Sequence, residues 1–204
     1  YPNFNIVGEC WTRPASAVAY WQTGAKNYNG FDSHLPSVMD FPVEESIRQA
    51  LETDGKQWGE GLTRVYDAVA MDYLYGDVNN ILLMLGNHDM DRIADVVKDQ
   101  DPRRVKLAYT LLATMRGIPQ VFAGDEDAMK SSDRRLGHST LRMPLPQGKE
   151  VTPEMQDMFD YQSRLFQWRK SEPVIHTGKT MHFMSRDNTY GFFRYNDTEA
   201  VFVF

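Results

Sequence analysis

Two carboxylates stand where short apolar runs end. Asn5-Ile6-Val7-Gly8 gives way to Glu9-Cys10-Trp11, and the run 81–85 passes through Gly86 into Asn87-His88-Asp89. The second run carries no charge and reads as a strand buried on both faces; the first is another brief strand. In parallel α/β folds reactive groups gather in the turns at the carboxyl ends of strands, because the strand holds still what the turn exposes. Glu9 and Asp89 at two such ends can point into one cleft. A pair of carboxylates in a cleft is what glycosidic bond cleavage needs, one group to protonate the leaving oxygen and another to work at the anomeric carbon. Glu9 is the candidate acid and later base, partly desolvated beside Trp11 so that it holds its proton near neutral pH. For either run taken alone, a polar loop that merely caps a strand is the competing reading.

The elements that would position these groups alternate. Residues 12–30 form an irregular loop rich in rings, with a short helix over 15–22. Residues 37–41 read as a strand closed by Pro42, which cannot donate to a ladder, and Asp40 at its end suits either the cleft or a helix cap. A helix follows over 43–51. Leu62, Val65, Tyr66, Val69, Ala70 and Tyr73 then fall on one face of a second helix. Asp101-Pro102 opens a third, with Val105, Ala108, Leu111, Leu112 and Met115 as its apolar face, and Gly117 and Pro119 stop it. Residues 120–123 read as the next strand, and residues 130–148 as loop. The last helix starts at Thr152-Pro153 and turns Met155, Met158, Phe159, Leu165 and Phe166 inward. Beyond Pro173 the period changes to two, with strands over 181–184, 190–195 and 200–204. Strand, helix, strand in this order supports parallel pairing with right-handed crossovers.

Composition excludes several classes. Of 204 residues, 42% are hydrophobic, 25% charged and 12% aromatic, and the last share suits a surface that stacks on sugar rings. A formal charge of −6 argues against a nucleic-acid partner, which wants a basic field. Cys10 stands alone, so there is no internal disulfide, and it reads as a small buried apolar residue rather than a nucleophile. No apolar stretch approaches the roughly 20 residues of a membrane span. Three adjacent acids, Asp125-Glu126-Asp127, lack the spacing of a calcium loop, and His34, His88 and His138 lack that of a metal site. No Gly-x-Ser-x-Gly elbow occurs.

The stretch 6–11, with Gly8-Glu9 followed by Cys10-Trp11, resembles the third conserved region of the α-amylase superfamily, glycoside hydrolase family 13. Residues 83–92, with Asn87-His88-Asp89, resemble its fourth region, at the end of the seventh barrel strand. Tyr20-Trp21-Gln22, Leu35-Pro36-Ser37-Val38-Met39-Asp40-Phe41-Pro42 and the run 115–126 are similar to the neopullulanase and cyclomaltodextrinase branch, notably its Bacteroidetes-type members. The resemblance covers nearly the whole chain.

That resemblance implies a fold, a reaction and roles. The fold is a partial (β/α)8 TIM barrel, strands 5 to 8, over 1–175, and the opening of an antiparallel β-sandwich domain over 176–204. The parent is expected to be a retaining hydrolase of cyclomaltodextrins, pullulan, starch or maltooligosaccharides, with an α-glucan transglycosylase as the alternative. Asp89 would bind sugar hydroxyls and support the transition state rather than attack, with His88 on ring hydroxyls beside it. Trp11 would line the acceptor side. Arg92 reads equally as a substrate contact or a structural ion pair, and Asn87 as a substrate contact or a brace of the turn. The family's nucleophile lies in a Gly-x-Arg-x-Asp segment that this sequence lacks. The chain is therefore expected to be a piece of a longer enzyme, inactive alone, and by itself a non-catalytic carbohydrate-binding or structural piece. No cofactor is required by it, calcium stays compatible with the parent, and the parent is expected to be periplasmic or secreted. Its expected partner is an α-glucan oligosaccharide, with self-association through exposed barrel edges.

Overall fold

The computed structural model describes residues 4–131, 133–136 and 138–204; the chain's opening at 1–3 and positions 132 and 137 of the 130–148 loop lie outside them. Four short strands run parallel: β1 (Val7–Gly8), β2 (Ser37–Val38), β3 (Leu82–Met84) and β4 (Ile118–Gln120). β1 pairs with β2 and β3 with β4, and a parallel bridge between Met39 and Leu82 joins the two pairs into one order, β1-β2-β3-β4. Met39 N–H donates to the Gly8 carbonyl at 3.0 Å and Asp40 N–H to the Leu82 carbonyl at 2.9 Å, so the end of β2 is stitched to both neighbours. Among the described residues the four strands remain an open sheet and close no barrel.

Helices α1 (Ala15–Ala19), α2 (Phe41–Glu52), α3 (Thr63–Val69), α4 (Ile93–Val96) and α5 (Pro102–Thr114) fill the connections. Asp40 and Asp101 cap α2 and α5, their side chains accepting from Val43 N–H and Arg103 N–H, each with Pro in the first turn. Leu83 and Leu85 from the β3 run, Val43 and Ile47 from α2, Val65 and Val69 from α3, and Val105 and Leu112 from α5 make one buried cluster. Each is at most 3% exposed, which matches the uncharged run 81–85. After α6 (Pro153–Ser171) and α7 (Pro173–Thr177), strands β5 (Lys179–His182), β6 (Phe192–Tyr195) and β7 (Ala200–Val203) form an antiparallel sheet. Asp187 and Asn188, both at positive φ, turn the chain between β5 and β6.

Several boundaries differ from the sequence expectation for local reasons. β4 begins two residues earlier than expected, because Gly117 at φ +93° turns the chain and Ile118 N–H at once donates to the Ile81 carbonyl at 2.7 Å. Pro119 is tolerated there since alternate residues of a strand face one neighbour and β4 is the outermost strand. α3 stops at Val69, and Tyr73 sits in a separate 3-10 turn, Asp72–Leu74. On α6 the inward stripe runs through Met158, Gln162 and Arg169, leaving Phe159 46% exposed. Two polar residues are admitted because each meets a carbonyl: Gln162 donates to Asp125 O at 3.0 Å, and Arg169 to Ala113 O at 2.7 Å, Met115 O at 3.0 Å and Gly117 O at 2.7 Å. α7 was not foreseen, and the expected domain boundary at 175/176 falls inside it.

Arg116, 1% exposed, lies between two carboxylates, Asp40 at 0% and the half-buried Asp72, and its Nε donates to Asp72 Oδ2 at 2.9 Å. Burial pushes the Asp40 carboxyl up against the pull of Arg116. Arg116→Met should therefore cost about 3–5 kcal/mol by leaving a buried acid uncompensated. The orphaned Asp40 would then fold best protonated, so the loss should grow as pH rises above about 4, its unfolded value. Urea denaturation at pH 4.5 and 7.5 checks this, and adding Asp40→Asn should remove most of the pH dependence.

Candidate active site

Glu9 and Asp89 follow β1 and β3, two strands of one parallel sheet, so both emerge at the sheet's carboxyl end. Gly8, just before Glu9, leaves room for the Leu35 side chain: a Cβ there would lie 2.2 Å from Leu35 Cδ2, which would have to shift. Glu9 itself is exposed. The apolar shielding expected from Trp11 is not supplied, because that ring stacks on Phe41, centroids 5.1 Å apart and planes at 17°. Trp11 remains 55% exposed, a platform open to solvent at the sheet's carboxyl end.

Asp89 is built differently. Asn87 Oδ1 accepts its N–H at 2.8 Å, and the Asn87 carbonyl accepts Met90 N–H at 3.2 Å, which fixes the turn. Arg142 Nη2 donates to Asp89 Oδ1 at 2.7 Å, and His138 Nδ1 lies 3.1 Å from the same oxygen. His88 Nε2 is 3.3 Å from Oδ2, while Arg142 Nε donates to the His88 carbonyl at 3.2 Å. The His138 hydrogen bond first, with the nearby His88 and Arg142, holds Asp89 below the usual carboxylate range. An acid kept ionised, half-buried and ringed by exposed cationic or titratable groups can stabilise positive charge and accept from hydroxyls; it is poorly suited to giving up a proton. Neither His138 nor Arg142 carried a sequence signal, since both lie in a loop of 3-10 turns some fifty residues on.

Two candidates are corrected as substrate contacts. Arg92 is 1% exposed: its Nη1 donates to Asp125 Oδ1 at 2.6 Å, its Nη2 to Ala123 O at 3.1 Å and Leu141 O at 2.8 Å, and the guanidinium lies over the Phe122 ring. A group so enclosed braces the loops after β3 and β4. Asn87 at 4% exposure is likewise a brace of the turn. The same pairing removes Asp125 from any ion-binding role with its neighbours: burial raises it to about 6 against the pull of Arg92. Of the three histidines weighed as ligands, His88 and His138 converge on Asp89, whereas His34 lies beside Asp32.

The Tyr20-Trp21-Gln22 stretch divides its labour. Tyr20 stacks on Phe31 at 5.0 Å with Trp21 edge-on, a ring cluster within the loop. Gln22, 1% exposed, accepts from Gly76 N–H at 3.0 Å and Asp77 N–H at 3.1 Å and donates to Pro36 O and Asp77 O. It staples the β2 approach to the β3 approach. None of the helices among the described residues is long and apolar enough to cross a membrane.

Similarity to known proteins runs the length of the chain. The α-amylase catalytic-domain family model matches residues 1–198. An α-amylase of Niallia circulans is 28% identical over 183 residues, covering 87% of this chain and 32% of its own. A cyclomaltodextrin glucanotransferase of Geobacillus stearothermophilus is 23% identical over 203 residues, covering 94% and 26%. Among solved structures, an α-amylase from Geobacillus thermoleovorans complexed with acarbose superimposes with a TM-score of 0.76 at 22% identity, over 99% of this chain and 41% of that one. The chain thus spans about a third or less of the length of these curated relatives. On the family match, and with parallel strands presenting Glu9 and Asp89 at one end, the chain belongs to the α-amylase catalytic-domain family.

Proposed function

We propose that this chain contributes the acid and the transition-state-stabilising carboxylate of a retaining α-glucan hydrolase, with the attacking carboxylate supplied from outside these 204 residues. The observation that carries the proposal is the contrast between the two acids. Asp89 is held ionised by its own surroundings, and Glu9 stands free beside an aromatic platform. In this reading Glu9 protonates the departing glycosidic oxygen and later activates water. Asp89 stays charged, binds hydroxyls of the distorted ring together with His88, and stabilises the oxocarbenium-like state. Trp11, backed by the buried Phe41, offers its open face to the acceptor sugar, and Asn87 and Arg92 keep the Asp89 turn in place. Substrates are α-glucans in the range of starch, pullulan, cyclomaltodextrins and maltooligosaccharides. Transfer to a sugar instead of water is the second reading, favoured by the apolar Trp11–Phe41 platform and by a relative named as a glucanotransferase; product analysis with one maltooligosaccharide as the only sugar separates the two.

The 204-residue chain alone should show no turnover of starch or pullulan above a Glu9→Gln control. Among the described residues its outer strands β1 and β4 have no neighbour on one side, and Ile6 and Ile118 are 51% and 44% exposed. The chain should therefore self-associate, and light scattering at micromolar concentration should find species larger than a monomer. In the whole enzyme the two acids should part by leaving group. Glu9→Gln should lose about 10²-fold or more on maltooligosaccharides, yet far less on an α-glucosyl fluoride, whose leaving group hardly needs a proton. Asp89→Asn should lose alike on both, since the charge it stabilises develops whatever departs. Equal losses for Glu9→Gln would assign the roles wrongly.

A further inference from the structure

Between the loop after β1, the helix α2 and the loop after β3 lies a cavity of about 640 Å³, within the usual range for small-ligand sites. Trp11 and Phe41 form one wall and Met90, next to Asp89, another. Into it faces Glu44, 2% exposed, whose Oε1 is buried with no hydrogen-bond partner. The same oxygen is 3.1 Å from Arg48 Nε one turn on, close enough for charge attraction without an aligned hydrogen bond. Arg48 Nη1 donates to the Asp91 carbonyl at 2.6 Å, within the turn that carries Asp89. A second pair, Arg13 with Glu45 at 2.9 Å, borders the cavity.

These walls choose a class of ligand. The two arginines are matched by two glutamates, and only Glu52 is left over, so the cavity has no field for a strongly charged guest. An aromatic face flanked by paired ions, with one carboxylate oxygen still unbonded, instead suits a neutral polyol that stacks its ring and threads hydroxyls between the charges. Resting on the acceptor-side reading of Trp11 given above, we propose that Glu44 and Arg48 are the specificity-determining pair for the acceptor glucose units of an α-glucan, and that Arg48 ties their occupancy to the Asp89 turn. A hydroxyl donated to Glu44 Oε1 completes the bond the buried carboxylate lacks, and Arg48 Nε is turned towards the same sugar.

The test uses the whole enzyme in a Glu9→Gln background, titrated with maltose in a calorimeter. At pH 9, above the pH at which Glu44 loses its proton, Glu44→Gln should weaken maltose binding about tenfold or more, the size expected for a hydrogen bond to a charged partner. Arg48→Lys, which keeps the charge but not the two-sided reach, should weaken it too. Circular dichroism confirms that each variant is folded. A pH profile supplies a readout that a merely structural Glu44 would not move. Burial, opposed by Arg48, raises its carboxyl to about 8, with Glu45 on the same helix and Asp40 at its cap adding to the rise and Arg13 across the cavity. Because the ionised carboxylate is the better acceptor, maltose affinity should rise between pH 7 and 9 and become flat in Glu44→Gln; a fall over that range would count against the proposal. Folded variants that bind maltose as the parent does, or a parent with no affinity for maltose, would overturn the proposal. Failure of the hydrolase reading shows separately, as absence of turnover on any α-glucan by the enzyme with Glu9 intact.

Discussion

A guanidinium sealed from water is the contact on which the sheet depends. Taking Arg116 and Asp40 out of solvent costs several kcal/mol per ion, returned only where geometry satisfies every donor. Asp72 completes that geometry from a third segment. The end of β2, the 3-10 turn at Asp72–Leu74 and the corner between α5 and β4 must therefore arrive together, since any one missing leaves a buried charge bare. Lysine could not substitute, because only a planar fork reaches two acids on two sides at once. Arg92, Arg169 and Arg194 are buried as well, each at most 6% exposed, although among the described residues the Nε of Arg92 and of Arg194 donates no hydrogen bond. Arg169 takes up the carbonyls at the end of α5, and Arg194 Nη2 donates to Ile175 O at 2.9 Å and Asn79 Oδ1 at 2.7 Å, tying the antiparallel sheet to α7 and to the approach to β3. Burial holds both arginines down to about 10, still well above physiological pH, so they remain charged connectors.

Against that stiff frame the groups around Asp89 are soft. Arg142, His88 and His138 have side chains at least half exposed, and ion pairs in water are worth little. They can hold the carboxylate ionised and still exchange their contacts for hydroxyls. A buried partner such as Arg92 could not. The chain thus keeps its buried cations behind the loops and its solvent-exposed, exchangeable groups in front, around Asp89.

What could be read from the sequence follows this division. Alternation of β3, α5 and β4 came from uncharged runs and helical periodicity, and the Asp101-Pro102 start of α5 from cap chemistry, because such signals are local. Glu9 and Asp89 stand out as candidates in the sequence because each follows an apolar run. Arg92 was left open between two roles, since three residues beyond Asp89 a guanidinium can turn outward or inward, and only the distant Asp125 decides. Phe159 was placed inside since a methionine and phenylalanine stripe reads as core. The real stripe passes through Gln162 and Arg169, whose partners are backbone carbonyls that no residue type announces. His138 and Arg142 share this property, since their meaning is a distance to Asp89, whereas the Glu44–Arg48 pair is a local i,i+4 spacing whose link to the Asp91 carbonyl alone is long-range.

The two acids also differ in what the chain must still receive. Asp89 meets His138, His88 and Arg142 within this chain, and these favour its charge. Glu9 has only position: the end of β1 and a solvent-exposed side chain whose neighbouring indole is stacked on Phe41. An acid catalyst works best when water is kept from its carboxyl, so on the proposed reading the sugar must bring that exclusion with it as it settles on the Trp11–Phe41 face. Acid strength would then be tied to occupancy. On that reading one carboxylate is already charged in the free site and the other would be completed only by a bound sugar, so the two would part in protonation only with a substrate in place.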